Sequence, residues 1–156
     1  MGKLFVDLVI EIQAPAQAVW EALTLSKNTD QWASLFSSGG AKFQLESHWE
    51  LGNSVLWKSE DGSIVVEGTV TINDPFHVLR FTVFDTKSTR PEVDEEDGIT
   101  YKLFEKDGIT TLRVLQGDFS TIPDGKGQQY RDMSTKIWQK VLPIVKALAE
   151  KDQVQG

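Results

Sequence analysis

The sequence predicts an α+β fold: a curved antiparallel β-sheet of about six or seven strands wrapped around a long C-terminal α-helix, with two short helices after the first strand. Three observations carry this expectation. From Gln128 to Glu150, the residues Tyr130, Met133, Ile137, Val141, Ile144 or Val145, and Leu148 recur every three or four positions and share one helical face. The middle of the chain alternates apolar and polar residues between turn signals such as Glu60-Asp61-Gly62 and Lys106-Asp107-Gly108, which read as hairpins and hence as antiparallel pairing. A single terminal helix of roughly 35 Å has only that sheet on which to lay its apolar stripe.

The elements follow in order. Leu4, Val6, Leu8, Ile10 and Ile12 alternate with Phe5, Asp7, Val9 and Glu11, as in a first strand with one buried face. Ala14-Pro15 ends it, and Pro15 suits the first turn of a helix over Ala16 to Thr24, with Val19, Trp20 and Leu23 buried. Ser26 is the expected cap of a second short helix running to about Trp32 or Phe36. Ser37-Ser38-Gly39-Gly40 interrupts the pattern. Ala41 to Leu51 reads as a strand with a bend at His48-Trp49-Glu50. Val55 to Lys58, Ile64 to Asn73 and Val78 to Phe84 are further strands. A polar loop with the acidic run Glu92 to Asp97 precedes the hairpin of Ile99 to Glu105 with Thr110 to Gln116. A loop with Pro123 leads into the long helix.

Composition narrows the function classes. The chain has 156 residues and reads as one domain over 1–156. It has no cysteine, which excludes disulfides, thiolate catalysis and Cys-based metal sites. A net charge of -7 without a basic cluster argues against nucleic acid and anionic membrane as partners. The alternating N-terminus lacks a signal-peptide core, and no apolar run approaches the ~18 residues of a membrane span. These features lead to the expectation of a soluble, cytoplasmic protein.

Alternation assigns the inward faces. Leu79, Phe81 and Val83 face the helix. So do Ile99, Tyr101 and Leu103 of the next strand, and Leu112, Val114 and Gln116 of the last. In the central strand Val66, Gly68, Val70 and Ile72 are assigned inside. Gly68 in mid-strand marks a bend, a bulge or a close approach. Two readings of this inward set remain open: an ordinary filled core, or the lining of a ligand cavity. Five Trp and eight Phe favour an apolar cavity wall. Gln116 needs a buried partner, whether a ligand, a water or a neighbour such as Tyr130.

Taken together, several segments resemble a known superfamily. They are Ala14-Pro15 before Val19-Trp20-Glu21-Ala22-Leu23-Thr24, Trp32, and Glu67-Gly68-Thr69-Val70. Asp74-Pro75 before Leu79-Arg80-Phe81-Thr82, Thr111-Leu112-Arg113-Val114 with Phe119, and Trp138 with Val141-Leu142 and Lys146-Ala147-Leu148 complete the set. In order and spacing they are similar to the START-like, birch-pollen-allergen-like helix-grip superfamily (SRPBCC). Within it they resemble the branch of homologues of the activator of the heat-shock-protein-ninety ATPase. The resemblance spans nearly the whole chain and implies a curved sheet gripping a terminal helix around a cavity, though not the cavity's content. Relatives include lipid carriers, hormone receptors, polyketide cyclases and co-chaperone domains. Where the branch often has a His-Ser-Gly-Phe-like end to its last strand, this chain has Gln116-Gly117-Asp118-Phe119. That removes the family ground for acid–base work there. The eukaryotic co-chaperone carries a separate N-terminal domain with no counterpart in these residues, so its activator activity is not carried over.

Catalysis finds little support. His48 and His77 read as surface or edge residues. No pair has metal-ligand spacing, and the run Asp94 to Asp97 lacks the alternation and glycine of a calcium loop. No nucleophile elbow or phosphate loop occurs. The expectation is therefore no catalytic residue, no metal and no cofactor. The leading reading is a binding protein that holds a small apolar or amphipathic ligand against Trp32, Phe36, Trp57, Phe81, Tyr101, Gln116, Tyr130, Met133 and Trp138. The alternatives are a co-chaperone-like or stress-related module with a protein partner and, further off, a polyketide cyclase-like enzyme using Tyr101 and Gln116.

Overall fold

The computed structural model describes residues 4–36, 42–85, 98–122 and 125–154, without the side chains of 84, 85, 121 and 152–154. The expected break at 37–40, the acidic run 92–97 and Pro123 lie outside the described residues. Strand β1 (Val6–Ile12) leads into helix α1 (Ala16–Thr24), a short helix α2 (Ser26–Thr29) and a 3-10 turn (Ala33–Phe36). Strands β2 (Phe43–Glu46), β3 (Ser54–Ser59), β4 (Ile64–Asp74), β5 (Val78–Phe81), β6 (Phe84–Asp85), β7 (Gly98–Lys106) and β8 (Ile109–Gly117) follow. A 3-10 turn (Phe119–Thr121) precedes α3 (Gly127–Val154). All strand pairs are antiparallel, in the order β1-β8-β7-β5-β4-β3-β2, with β6 also on β4.

The first strand and the hairpin strands meet expectation. Val6 and Ile12 are fully buried and Val9 is exposed, as period-two alternation requires. Asp107 and Gly108 both take positive φ (55° and 78°), the conformation of a tight hairpin turn between β7 and β8. Ser26 does not cap α2. Leu25 occupies the cap position, and Ser26 is already in the helix. α1 receives its cap from far away: its first-turn amide at Ala16 donates to Oε1 of Glu105 on β7 at 2.6 Å. The Thr110 hydroxyl donates to the Ala14 carbonyl at 2.7 Å. Together these two bonds fix the entry to α1 on the β7–β8 hairpin.

Two irregularities shape the sheet. Val70 pairs with Phe81 but Ile72 pairs with Arg80, so Thr71 is an extra residue on β4. The bulge reverses the faces beyond it. Ile72, expected inside, is exposed, and Asn73 turns inward, donating its side-chain amide to the Trp49 carbonyl. The second irregularity is a close approach at Gly68, where an added Cβ would lie 1.6 Å from the Thr82 carbonyl oxygen. The expected strand Val78 to Phe84 is interrupted here. Thr82 and Val83 leave strand geometry, and β6 then continues along β4 opposite Val66 and Glu67.

The core lies between the sheet's concave face, α1 and α3. Along α3 the fully buried residues are Trp138, Val141 and Val145, with Leu142 and Ala149 nearly so. The stripe drawn from the sequence is thus only partly seated. Tyr130 is 44% exposed and Met133 51%, although both share a helical side with Ile137 and Val141. The helix is seated from about Trp138 onward, and its first turns rest on the Phe119–Thr121 turn.

Candidate functional site

Cross-strand pairing sets which side chains look at α3. One row runs Val70, Phe81, Ile99, Gln116, Val6, and the next runs Asn73, Leu79, Tyr101, Val114, Leu8. A third joins Leu45, Trp57 and Val66. Trp57 shares this face with Val55, two residues before it on β3, and both are buried; on the partner strand Val65 is a second extra residue, where pairing shifts from Trp57↔Val66 to Lys58↔Ile64.

The rings in these rows form one continuous assembly. Phe36, at the end of the 3-10 turn, meets Trp57 at 5.4 Å and Trp138 at 5.0 Å between centroids, both edge to face. Trp138 meets Tyr101 at 6.0 Å and Trp32 at 6.1 Å. Tyr101 meets Phe81 at 5.8 Å, and Phe81 meets Trp49 at 5.2 Å. Of the residues singled out in the sequence, Trp32, Phe36, Trp57, Phe81, Tyr101, Gln116 and Trp138 belong to this assembly. Tyr130 and Met133 lie apart on the exposed start of α3. The sequence reading missed Trp49 and Phe43. Trp49 was legible only as a bend, which it makes with φ at 59°, while its indole donates to the Thr24 carbonyl at 2.9 Å. Phe43 stacks its edge on Trp57.

The polar groups of the interior are few. Gln116 finds a partner in Trp138, whose Nε1–H donates to Oε1 at 2.8 Å. The Trp32 indole donates to the Ala22 carbonyl at 3.1 Å. The Trp57 indole has no acceptor among the described residues, although the residue is only 4% exposed. Burial alone pushes the pKa of the Tyr101 hydroxyl well up, so it stays protonated. Among the described residues no charged residue is buried as a whole, although Arg80, between the inward-facing Leu79 and Phe81, has its Nε covered and unpaired, and none cluster as metal ligands. His48 and His77 are both exposed. At the end of β8, Asp118 Oδ1 accepts from the amides of Leu4 at 2.9 Å and Ser120 at 2.8 Å, a structural use of the position.

A cleft of about 280 Å³ opens elsewhere, between α1, α2 and the end of α3, lined by residues including Pro15, Glu21, Leu25, Lys27 and Leu148. None of the residues expected to bind a ligand lines it. Beneath α3 the rings stand in edge-to-face contact with one another.

Comparison with known proteins agrees with this architecture. The solution structure of ChR145 from Cytophaga hutchinsonii superposes with a TM-score of 0.68 at 22% identity, covering 100% of both chains. The Aha1 dimer from Colwellia psychrerythraea gives 0.68 at 16% identity over 94% of this chain and 96% of that one. PFC0360w, an HSP90 activator from Plasmodium falciparum, gives 0.52 at 14% identity over 74% and 73%. At these identities the likeness is one of fold. No helix among the described residues is long and apolar enough to cross a membrane. No curated protein sequence matches the chain. The profile described as Activator of Hsp90 ATPase homolog 1-like protein matches residues 13–150, and the chain belongs to that family.

Proposed function

We propose that the protein binds a small apolar or amphipathic molecule between the concave face of the sheet and α3, with no catalytic step. One observation carries this reading: the Trp57 indole N–H, buried in a wall of aromatic rings and without an acceptor among the described residues. A buried donor left unpaired costs ~1–3 kcal/mol, and a ligand that accepts its hydrogen bond recovers that cost. The rings around it supply the apolar contact surface that binding sites of this kind use. The rings around Phe36 are in edge-to-face contact, so seating a molecule among them requires a ring to move. Phe36 is the candidate, because it ends a 3-10 turn, is only half-buried and lies between Trp57 and Trp138. Calorimetric titration of the protein with naphthalene-sized apolar probes tests the reading. Saturable binding is expected; no heat and no rise in melting temperature with any probe would remove it.

A second reading has its own observation. Tyr130 and Met133 expose large apolar surface on the first turns of α3, and exposed apolar surface of this kind marks interaction sites. The solved relatives described as an Aha1 dimer and an HSP90 activator give a chaperone-type partner as the candidate. Pulldown with an Hsp90-class chaperone, wild type against Tyr130→Ser/Met133→Ser, distinguishes the two, since these substitutions leave the ring assembly intact.

A further inference from the structure

The interior polar groups differ in kind, and their kind limits what the site accepts. An indole N–H donates and never accepts, so the unpaired Trp57 Nε1 requires an acceptor. Gln116 is oriented by the same rule. Because the Trp138 indole only donates, the oxygen of the Gln116 amide must face it, at 2.8 Å, and the amide NH2 is left to point away as a donor. Tyr101 adds a buried hydroxyl that stays protonated. Trp57 and Trp138 flank the same Phe36 ring, and Trp138 touches both Tyr101 and Gln116. Trp57, Trp138, Tyr101 and Gln116 therefore belong to one connected assembly.

Charge is absent from this set. Among the described residues the buried polar ones are Thr24, Thr29, Thr100 and Thr110, none of them ionisable. Arg131, two turns before Trp138 on the same side of α3, is engaged with Asp132 at 2.8 Å. A carboxylate drawn into the ring assembly would lose hydration without gaining a buried cation. An ammonium would meet donors with no carboxylate to oppose it.

We propose that the ligand is a neutral, largely apolar molecule bearing a hydrogen-bond-accepting oxygen, a ketone or ester type of group, seated with that oxygen on the Trp57 indole N–H. This rests on the binding reading above and narrows it: fatty acids and amines are excluded as preferred ligands, and plain hydrocarbons bind more weakly.

A matched series of one ring size tests it: 2-acetylnaphthalene, 2-ethylnaphthalene, 2-naphthoate and 2-(2-aminoethyl)naphthalene, titrated calorimetrically into the full chain. The ketone is expected to bind about tenfold or more tightly than the hydrocarbon, a difference of ~1.4 kcal/mol, with both ions weaker than the ketone. In Trp57→Phe the ketone's advantage disappears while the hydrocarbon still binds. In the wild-type protein, the Trp57 indole proton resonance should move downfield with the ketone and not with the hydrocarbon, which keeps the test independent of the variant's folding. Equal binding of ketone and hydrocarbon, or tighter binding of the carboxylate, overturns this proposal and leaves the binding reading standing. Failure of every probe to bind overturns both.

Discussion

The Trp138 indole donates to the side-chain oxygen of Gln116 at 2.8 Å, tying the middle of α3 to the last strand across the concave face of the sheet. This is the one side chain to side chain hydrogen bond between α3 and the sheet's inner face among the described residues, and it sits where the helix passes from exposed to buried.

Replacing Gln116 by Leu leaves the Trp138 N–H buried without an acceptor. We expect a loss of ~1–3 kcal/mol in denaturant unfolding. Gln116→Asn, whose oxygen is one methylene short of reach, should fall between. A stability equal to wild type in Gln116→Leu would show that the bond carries no net stabilisation.

Trp57→Phe should behave oppositely. It removes a buried donor that has no partner and keeps an aromatic ring against Phe36 and Phe43. The smaller ring costs packing and the lost orphan returns desolvation energy, so unfolding free energy should change by less than ~1.5 kcal/mol. A chemical-denaturation curve decides it; a fall of several kcal/mol would mean the indole is satisfied in solution.

At Gly68 the demand is steric. An alanine Cβ would fall 1.6 Å from the Thr82 carbonyl oxygen, and the obstacle is main chain. Gly68→Ala is expected to cost ~3 kcal/mol or more, the upper end of overpacking, or to prevent folding. A variant that melts with wild type would show that β5 can pull away from β4.

Glu105→Ala removes the carboxylate that receives the Ala16 amide at 2.6 Å. Loss of such a cap costs ~1 kcal/mol. Hydrogen exchange should show the effect at the start of α1 ahead of the rest of the chain.

Acid should destabilise the protein in a defined window. Hydrogen bonds from the Ser59 hydroxyl and from Ser63 pull the Asp61 carboxyl down to about 2. The hydrogen-bonded Arg113 guanidinium lowers Asp7, and Lys146 lowers Glu150. A carboxyl lowered by folding stabilises above its unfolded pKa, and that contribution is lost as pH falls through its folded pKa. Stability should therefore be flat near neutrality and decline from about pH 4 towards about pH 2. Asp61→Asn should flatten part of that slope in melts taken across the range. These groups are at the surface, where screening keeps each contribution small.

Local rules made much of this fold legible, and long-range ones did not show. The Asp107-Gly108 hairpin and the α3 periodicity are carried by neighbouring residues, so the strands and helices emerge from sequence alone. Ile72 was misplaced because an extra residue at Thr71 reverses the face, and a bulge leaves no mark on alternation until the partner strand is known. The glycine at 68 did announce a special site, though not that Thr82 would occupy it. Most of the expected ligand-contacting rings do stand together. Tyr130 and Met133 do not join them, since helical periodicity says which side a residue is on but not where along its length the helix meets the sheet. Glu105 as the cap of α1, 89 positions away, was beyond any local signal.

The pinch at Gly68 and the extra residues at Val65 and Thr71 are written in the main chain, not in the aromatic side chains they bring together. Curvature and contents are thereby separable. A mould whose outline is held by backbone geometry tolerates exchange of its furnishings, so re-specifying what it receives calls for edits at Phe36, Trp57 or Tyr101 while the three backbone irregularities are left alone.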